Sequence, residues 1–142
     1  MTLERNSVAD IQFRLVYHRA QPGTKLLPFP GMAPVPVFLA PGTYLTKTDF
    51  VSARYESKNG NAFVRATLTP QAREKLNNLG AQNAAAAAVE DYVSLLLFVD
   101  GEPATSLTMI YEPLPNYEME IKDLRTEQAQ LLATLLGGSV AL

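Results

Sequence analysis

His18 is the only histidine in the chain of 142 residues, and there is no cysteine. Disulfides, thiol nucleophiles and cysteine-based metal sites are therefore excluded, and one histidine without a thiol does not support a triad-type nucleophile. The alternation around His18 places it on the solvent side of a strand, where a lone histidine reads as a surface residue before it reads as a base. The carboxylates Glu90-Asp91, Asp100, Glu102, Glu112, Glu118 and Glu120 are of the type used in two-carboxylate glycoside hydrolysis. Their separations in space are not readable from sequence, and on turns and strand edges they read first as solubilising charge. A metal site with one histidine would draw mostly on oxygen ligands, and no EF-hand-like cluster of acids is present. No glycine-rich loop between strand and helix could cradle a phosphate. This census leads to binding chemistry, with no catalytic residue, no metal and no cofactor expected.

Composition narrows the class. Apolar residues make up 47% and charged residues 18%, which fits a single folded domain with a real core. The net charge of −2 and absence of a basic patch argue against a nucleic-acid partner. No stretch approaches the roughly 20 apolar residues of a membrane span. The first ten residues lack the apolar core of a signal peptide. Two origins stay open: a cytoplasmic protein, or an envelope protein whose leader or lipid anchor is missing from this sequence.

The elements that would position any site centre on Thr69 to Glu112. Thr69-Pro70 is a helix start, with threonine to cap free amides and proline at the first helical position. Ala72, Leu76 and Leu79 share one face. Val93 to Val99 is apolar around Ser94, so it must be covered on both sides and belongs centrally in a sheet. Asp100-Gly101 reverses the chain, and Pro103 favours a loop longer than two residues. Thr105 to Tyr111 is the return strand.

Upstream, Asp10 to His18 alternates, with Ile11, Phe13, Leu15 and Tyr17 on one face; this strand is expected apart from the sheet or at its edge. Ala20 to Gly42 is rich in proline and glycine and excludes a regular helix. It reads either as a recognition loop presenting Phe29, Met32 and Phe38, or as a connector that buries them. Phe50 to Ser57 and Ala62 to Leu68 alternate on either side of Lys58-Asn59-Gly60-Asn61, a hairpin signal. Val51, Ala53 and Tyr55 fall together on one face. The run Ala84 to Ala88 should continue or resume the helix after Gly80. Tyr117 to Ile121 reads as an edge strand. Thr126 is expected to cap a final helix, with Ala129, Leu132, Ala133 and Leu136 as its apolar stripe and Gly137-Gly138 as its stop.

The order of these features resembles the soluble periplasmic head of SecD, a subunit of the bacterial protein-export machinery. The strand Phe13-Arg14-Leu15-Val16, the Asn-Gly hairpin, Asn83 ahead of the apolar strand, Asp100-Gly101, Met109-Ile110 and the helix from Thr126 to Gly138 carry the likeness, which runs from about Ile11 to Gly138. An alanine-rich insertion of roughly two helical turns departs from the SecD pattern. In SecD the chain continues into a base strand and membrane helices with the acidic residue linked to proton coupling. This sequence stops at Leu142, so proton conduction and translocation are not expected of it.

The resemblance implies an α+β domain: an antiparallel sheet with two helices, 70–90 and 126–136, on one face, in a ferredoxin-like plait. Residues 1–9 and 139–142 read as tails, 10–138 as the domain and 20–42 as its proline-rich loop. The function implied is non-catalytic contact with extended or unfolded polypeptide, or with a partner protein, at the cell envelope or in the periplasm. Partner contacts are expected at Phe29, Met32, Phe38, Leu114 and Tyr117, since aromatics and methionine are favoured at interfaces. The alternatives are an immunity or inhibitor protein that caps one toxin or enzyme, and an uncharacterised hydrolase.

Overall fold

The computed structural model describes residues 10–28, 36–86, 91–110, 114 and 116–137. In chain order the strands are β1 (Ile11–Tyr17), β2 (Lys25–Pro28), β3 (Pro36–Leu39), β4 (Leu45–Thr46), β5 (Phe50–Lys58), β6 (Asn61–Leu68), β7 (Val93–Val99), β8 (Glu102–Thr108) and β9 (Glu118–Ile121). The helices are α1 (Pro70–Ala84) and α2 (Thr126–Gly137), and a 3-10 turn, Lys47–Asp49, leads into β5. The class is α+β with antiparallel pairing throughout, but the strands divide into two sheets rather than one. The larger runs β2-β3-β1-β7-β8, with β4 also on β1; the smaller runs β5-β6-β9.

The apolar strand is β7, and it is covered on both faces as its composition requires. Val93, Leu95 and Leu97 enter the main core, which also takes Ile11 and Phe13 of β1, Val64 of β6, Leu76 of α1 and Leu132 of α2. Leu96 and Phe98 join Val16, Val37 and Leu39 in a second, smaller cluster. This explains where β1 lies. It pairs with β7 over its whole length and with β3 and β4 on its other side, so the strand expected at an edge is central. Val16, on the other face of β1, is fully buried in that second cluster with Val37, Leu39, Leu96 and Phe98.

Val37 and Leu39 of that second cluster come from the proline-rich segment. β2 and β3 pair as a hairpin within a region expected to be irregular, with Pro28 opposite Pro36 at the far end. Proline is tolerated there because β2 is an edge strand and Pro36 opens β3.

The turns are tighter than expected. Asp100 (φ 53°) and Gly101 (φ 83°) form a two-residue connection between Val99 and Glu102, despite Pro103. Val99 and Glu102 are the hydrogen-bonded pair beside the turn, so the next residue, Pro103, turns its missing N–H away from β7, where no ladder bond is lost. Asn59 (φ 53°) and Gly60 (φ 80°) close β5–β6 in the same way. A register shift between Phe50 and Ser52 ejects Val51, which is 60% exposed rather than sharing the half-buried face of Ala53 and Tyr55.

Helix starts follow local chemistry. Thr69 Oγ1 accepts the Ala72 N–H at 3.2 Å, with Pro70 at the first position. In α2, Thr126 is the first helical residue and not the cap; Gln128 Oε1 accepts the Arg125 N–H at 3.0 Å instead. The α1 helix passes through Gly80 and ends at Ala84, so Ala85 and Ala86 lie outside it, and 87–90 are outside the described residues. At the end of α2 a Cβ on Gly137 would sit 3.5 Å from the Ala53 carbonyl oxygen, so the helix lies close on the β5 backbone.

Candidate functional site

Two polar anchors position the surface beside β8. Asn83, on the last turn of α1, is 2% exposed. Its Nδ2 donates to the carbonyls of Val93 (2.9 Å) and Ile110 (2.8 Å), and its Oδ1 accepts the Val93 N–H at 2.9 Å. One amide thus fixes the start of β7 and the exit from β8. Further along, Leu114 donates its N–H to Asn77 Oδ1 (2.7 Å) and accepts at its carbonyl from Arg73 Nη2 (3.0 Å). The Arg73 guanidinium also stacks 4.6 Å from the Tyr117 ring, whose backbone carbonyl accepts the Leu68 N–H at 2.6 Å. The path from β8 to β9 is therefore tied to α1 and β6.

Beside β8, the last strand of the larger sheet, lie two separate hollows that together make an interrupted trough. At one end a hollow of about 430 Å³ lies between the end of β8 and β9, lined on one side by Leu107, Met109, Ile110, Leu114 and Met119 and on the other by charged residues including Arg65, Glu118, Glu120 and Lys122. At the other end a hollow of about 230 Å³ lies between Val99, Pro103 and Ala104 on one side and Leu124, Leu131 and Leu135 of the α2 region on the other. Leu131 is 53% exposed. A wider depression of about 820 Å³ near the β5–β6 turn carries both signs of charge, including Lys58, Arg125, Glu120 and Glu127.

The smaller sheet presents an ionic face next to the trough. Arg65 reaches Glu56 (Nε–Oε2, 3.2 Å), Glu120 (Nη1–Oε2, 3.1 Å) and Glu118 (Nη1–Oε1, 3.7 Å), while Arg54 Nε holds Glu56 Oε2 at 2.6 Å. Hydrogen bonds from Arg65 and then Arg54 hold the Glu56 carboxyl below the usual glutamate range. The same bond with Glu56 raises the Arg65 guanidinium further. Burial raises the Tyr44 phenol, which donates to the Lys75 carbonyl at 2.7 Å.

The residues singled out for chemistry do not converge. His18 is half-buried rather than solvent-facing, its Nε2 3.4 Å from Ser94 Oγ. Ser94 is 0% exposed, so no substrate carbonyl reaches its hydroxyl in this arrangement. Glu118 and Glu120 are neutralised by Arg65, and Asp91 faces Arg19 at 3.7 Å. Glu90 and Glu112 lie outside the described residues. Among the described residues no three histidine, aspartate or glutamate side chains gather as metal ligands would.

The expected partner contacts also separate. Leu114 lines the larger hollow, half-buried against the core. Tyr117 is 42% exposed beside Arg73. Phe38 is half-buried on β3, opposite Tyr17 and Leu26, away from these two in the strand order. Phe29 and Met32 lie outside the described residues. Leu131 and Met119 are not singled out by sequence, and Met109 enters there only through the resemblance. The signal for Leu131 was present: Leu131 and Leu135 are more leucine than the stripe Ala129, Leu132, Ala133, Leu136 needs.

The arrangement defines a class: a two-sheet α+β domain with two helices and an open trough beside an edge strand. Solved structures of SecDF share this fold. A crystal structure of SecDF in a super-membrane-facing form aligns over 92% of this chain and 19% of its own, with TM-score 0.61 and 21% identity. A structure of SecDF described as a membrane component that enhances protein export aligns over 92% of this chain and 63% of its own, with TM-score 0.60 and 20% identity. The chain thus spans less than two thirds of either SecDF chain it matches. No protein-family model matches the sequence. No curated protein matches it either. Among the described residues no helix is long and apolar enough to cross a membrane.

Proposed function

We propose that this chain is a non-catalytic polypeptide-binding domain of the cell envelope, and that extended or unfolded chain lies in the trough beside β8. The observation that carries the reading is the SecDF-like fold over 92% of the chain, SecDF being a component that enhances protein export. The larger hollow lends support through one apolar wall of aliphatic and methionine side chains, of the kind that accommodate varied partners, set against a charged one. His18, Ser94 and the carboxylates supply no reachable nucleophile–base pair among the described residues. Leu114 is the sequence-nominated contact that belongs to the trough. Phe38 and Tyr117 would be contacts outside it, and Phe29 and Met32 lie outside the described residues.

The test is fluorescence anisotropy with labelled lysozyme, native or reduced and carbamidomethylated. Saturable binding to the unfolded form alone is expected, and equal failure to bind either form refutes the proposal. A dedicated inhibitor would instead bind one folded partner tightly and ignore unfolded chain. Phe29→Ala with Phe38→Ala decides whether the β2–β3 hairpin takes part. An interface role predicts up to about thirtyfold weaker binding with an unchanged melting temperature. A covering role predicts a lowered melting temperature.

A further inference from the structure

We infer, resting on the polypeptide-binding reading, that the trough selects segments in which an apolar side chain is flanked by lysine or arginine. The apolar side chain would fill the hollow of about 230 Å³ beside Leu131, and the cation would face the β7–β8 turn.

Glu102 lines that hollow, and Asp10 and Asp100 meet at the same turn. The Asp10 N–H donates to Asp100 Oδ1 at 2.7 Å, and the Asp100 N–H returns a bond to the Asp10 carbonyl at 2.7 Å, so the two residues are locked together. Glu102 follows directly, and all three are exposed. Some acids elsewhere in the described fold have cations against them, as Glu120 has Arg65 and Lys122 and Asp91 has Arg19, whereas the exposed Glu74 and Glu127 have none among the described residues. Asp10, Asp100 and Glu102 have none among the described residues. An uncompensated negative group beside an apolar hollow is complementary to a segment that carries the opposite charge next to an apolar residue.

The backbone of β8 points the same way. Pro103 offers no N–H to an incoming strand, and the β7–β8 register shifts between Leu96 and Phe98. A strand added along β8 would therefore not form an unbroken ladder, the source of sequence-independent affinity in strand addition. Recognition falls to the side-chain hollows and to charge, which discriminate between sequences.

The test compares a fluorescein-labelled leucine/alanine peptide flanked by lysine with its glutamate-flanked twin, and carbamidomethylated lysozyme as the general polypeptide probe. The lysine peptide should bind about threefold tighter or more at low salt, with the preference shrinking as salt rises. Glu102→Lys should erase the preference without changing the melting temperature. Leu131→Asp should weaken both peptides by about tenfold, since an exposed leucine in a hollow is replaced by a charge; Leu131→Ser gives the same readout without added charge. Equal affinities for the twins, or a preference untouched by Glu102→Lys, would overturn the inference. If lysozyme still bound in that case, the polypeptide-binding reading would stand alone; if neither peptides nor lysozyme bound, both would fall. Self-association in sedimentation that Leu131→Asp abolishes would assign the hollow to a second copy of this chain, and would also overturn it.

Discussion

Replacing Asn83 with alanine should cost more stability than any other single polar change in the described fold. The side chain is 2% exposed and closes three hydrogen bonds, to Val93 twice and to Ile110 once. Removing it leaves the Val93 N–H without its acceptor and two carbonyls short of a donor, in a site with little access for water. A buried backbone group deprived of its partner costs about 1–3 kcal/mol. The N–H has one hydrogen to give and carries the larger share; the carbonyls keep their second lone pair. The sum is about 3–4 kcal/mol, against a total of about 5–15 kcal/mol for a domain of this kind. In urea, with a slope of about 1–3 kcal/mol per molar, the midpoint should fall by about 1–4 M.

Asn83→Asp sharpens the test. It keeps one acceptor but sets a second oxygen against two carbonyls at 2.9 and 2.8 Å, so ionisation is penalised in the folded state. The folded pKa of that aspartate is raised above its unfolded value. Its protonated form can donate one bond, so stability is retained below the unfolded pKa and lost as pH rises through the folded one. A loss below about 1 kcal/mol in Asn83→Ala would refute the clamp. So would an Asn83→Asp variant whose stability does not depend on pH.

Leu96→Asp and Leu132→Asp should each unfold the domain, since the two sites are 0% and 3% exposed and an unpaired buried charge costs several kcal/mol; near-parental melting temperatures would remove both from the core. Arg73→Ala should cost about 1–2 kcal/mol and raise amide exchange at Leu114, because the hydrogen bond to its carbonyl and the stacking on Tyr117 vanish together. Glu56 contributes stability that is fully present above the ordinary glutamate pKa and is lost as pH falls through its lowered folded value. Glu56→Gln should therefore be less stable than the parent at neutral pH and converge with it in acid, as followed by thermal melts at graded pH.

Much of the fold was legible because its signals are local. The apolar run of β7, the Asn59-Gly60 hairpin, the Thr69-Pro70 start and the stripe of α2 each follow from neighbouring residues. What was not legible depends on partners distant in sequence. The alternation of β1 shows one buried face, and Val16 is buried on the other only through packing with Val37, Leu39, Leu96 and Phe98 from distant segments. The prolines of 20–42 argued against regular structure, whereas at strand ends and on an edge they do not oppose it. The trough is harder still to read from sequence. It lies between β8, β9 and α2, and residues such as Leu107 and Leu131 become neighbours of one surface only through the packing of two sheets.

The measurement closest to the central proposal is a heteronuclear NMR titration of the isotope-labelled domain with reduced, carbamidomethylated lysozyme. The account predicts saturable amide shifts along β8 and around Leu114 and Leu131, with the amides of the β5–β6 turn unmoved. Saturable shifts confined to another face would move the site away from β8. An absence of any saturable shift at millimolar polypeptide would contradict the proposal that this domain binds extended chain.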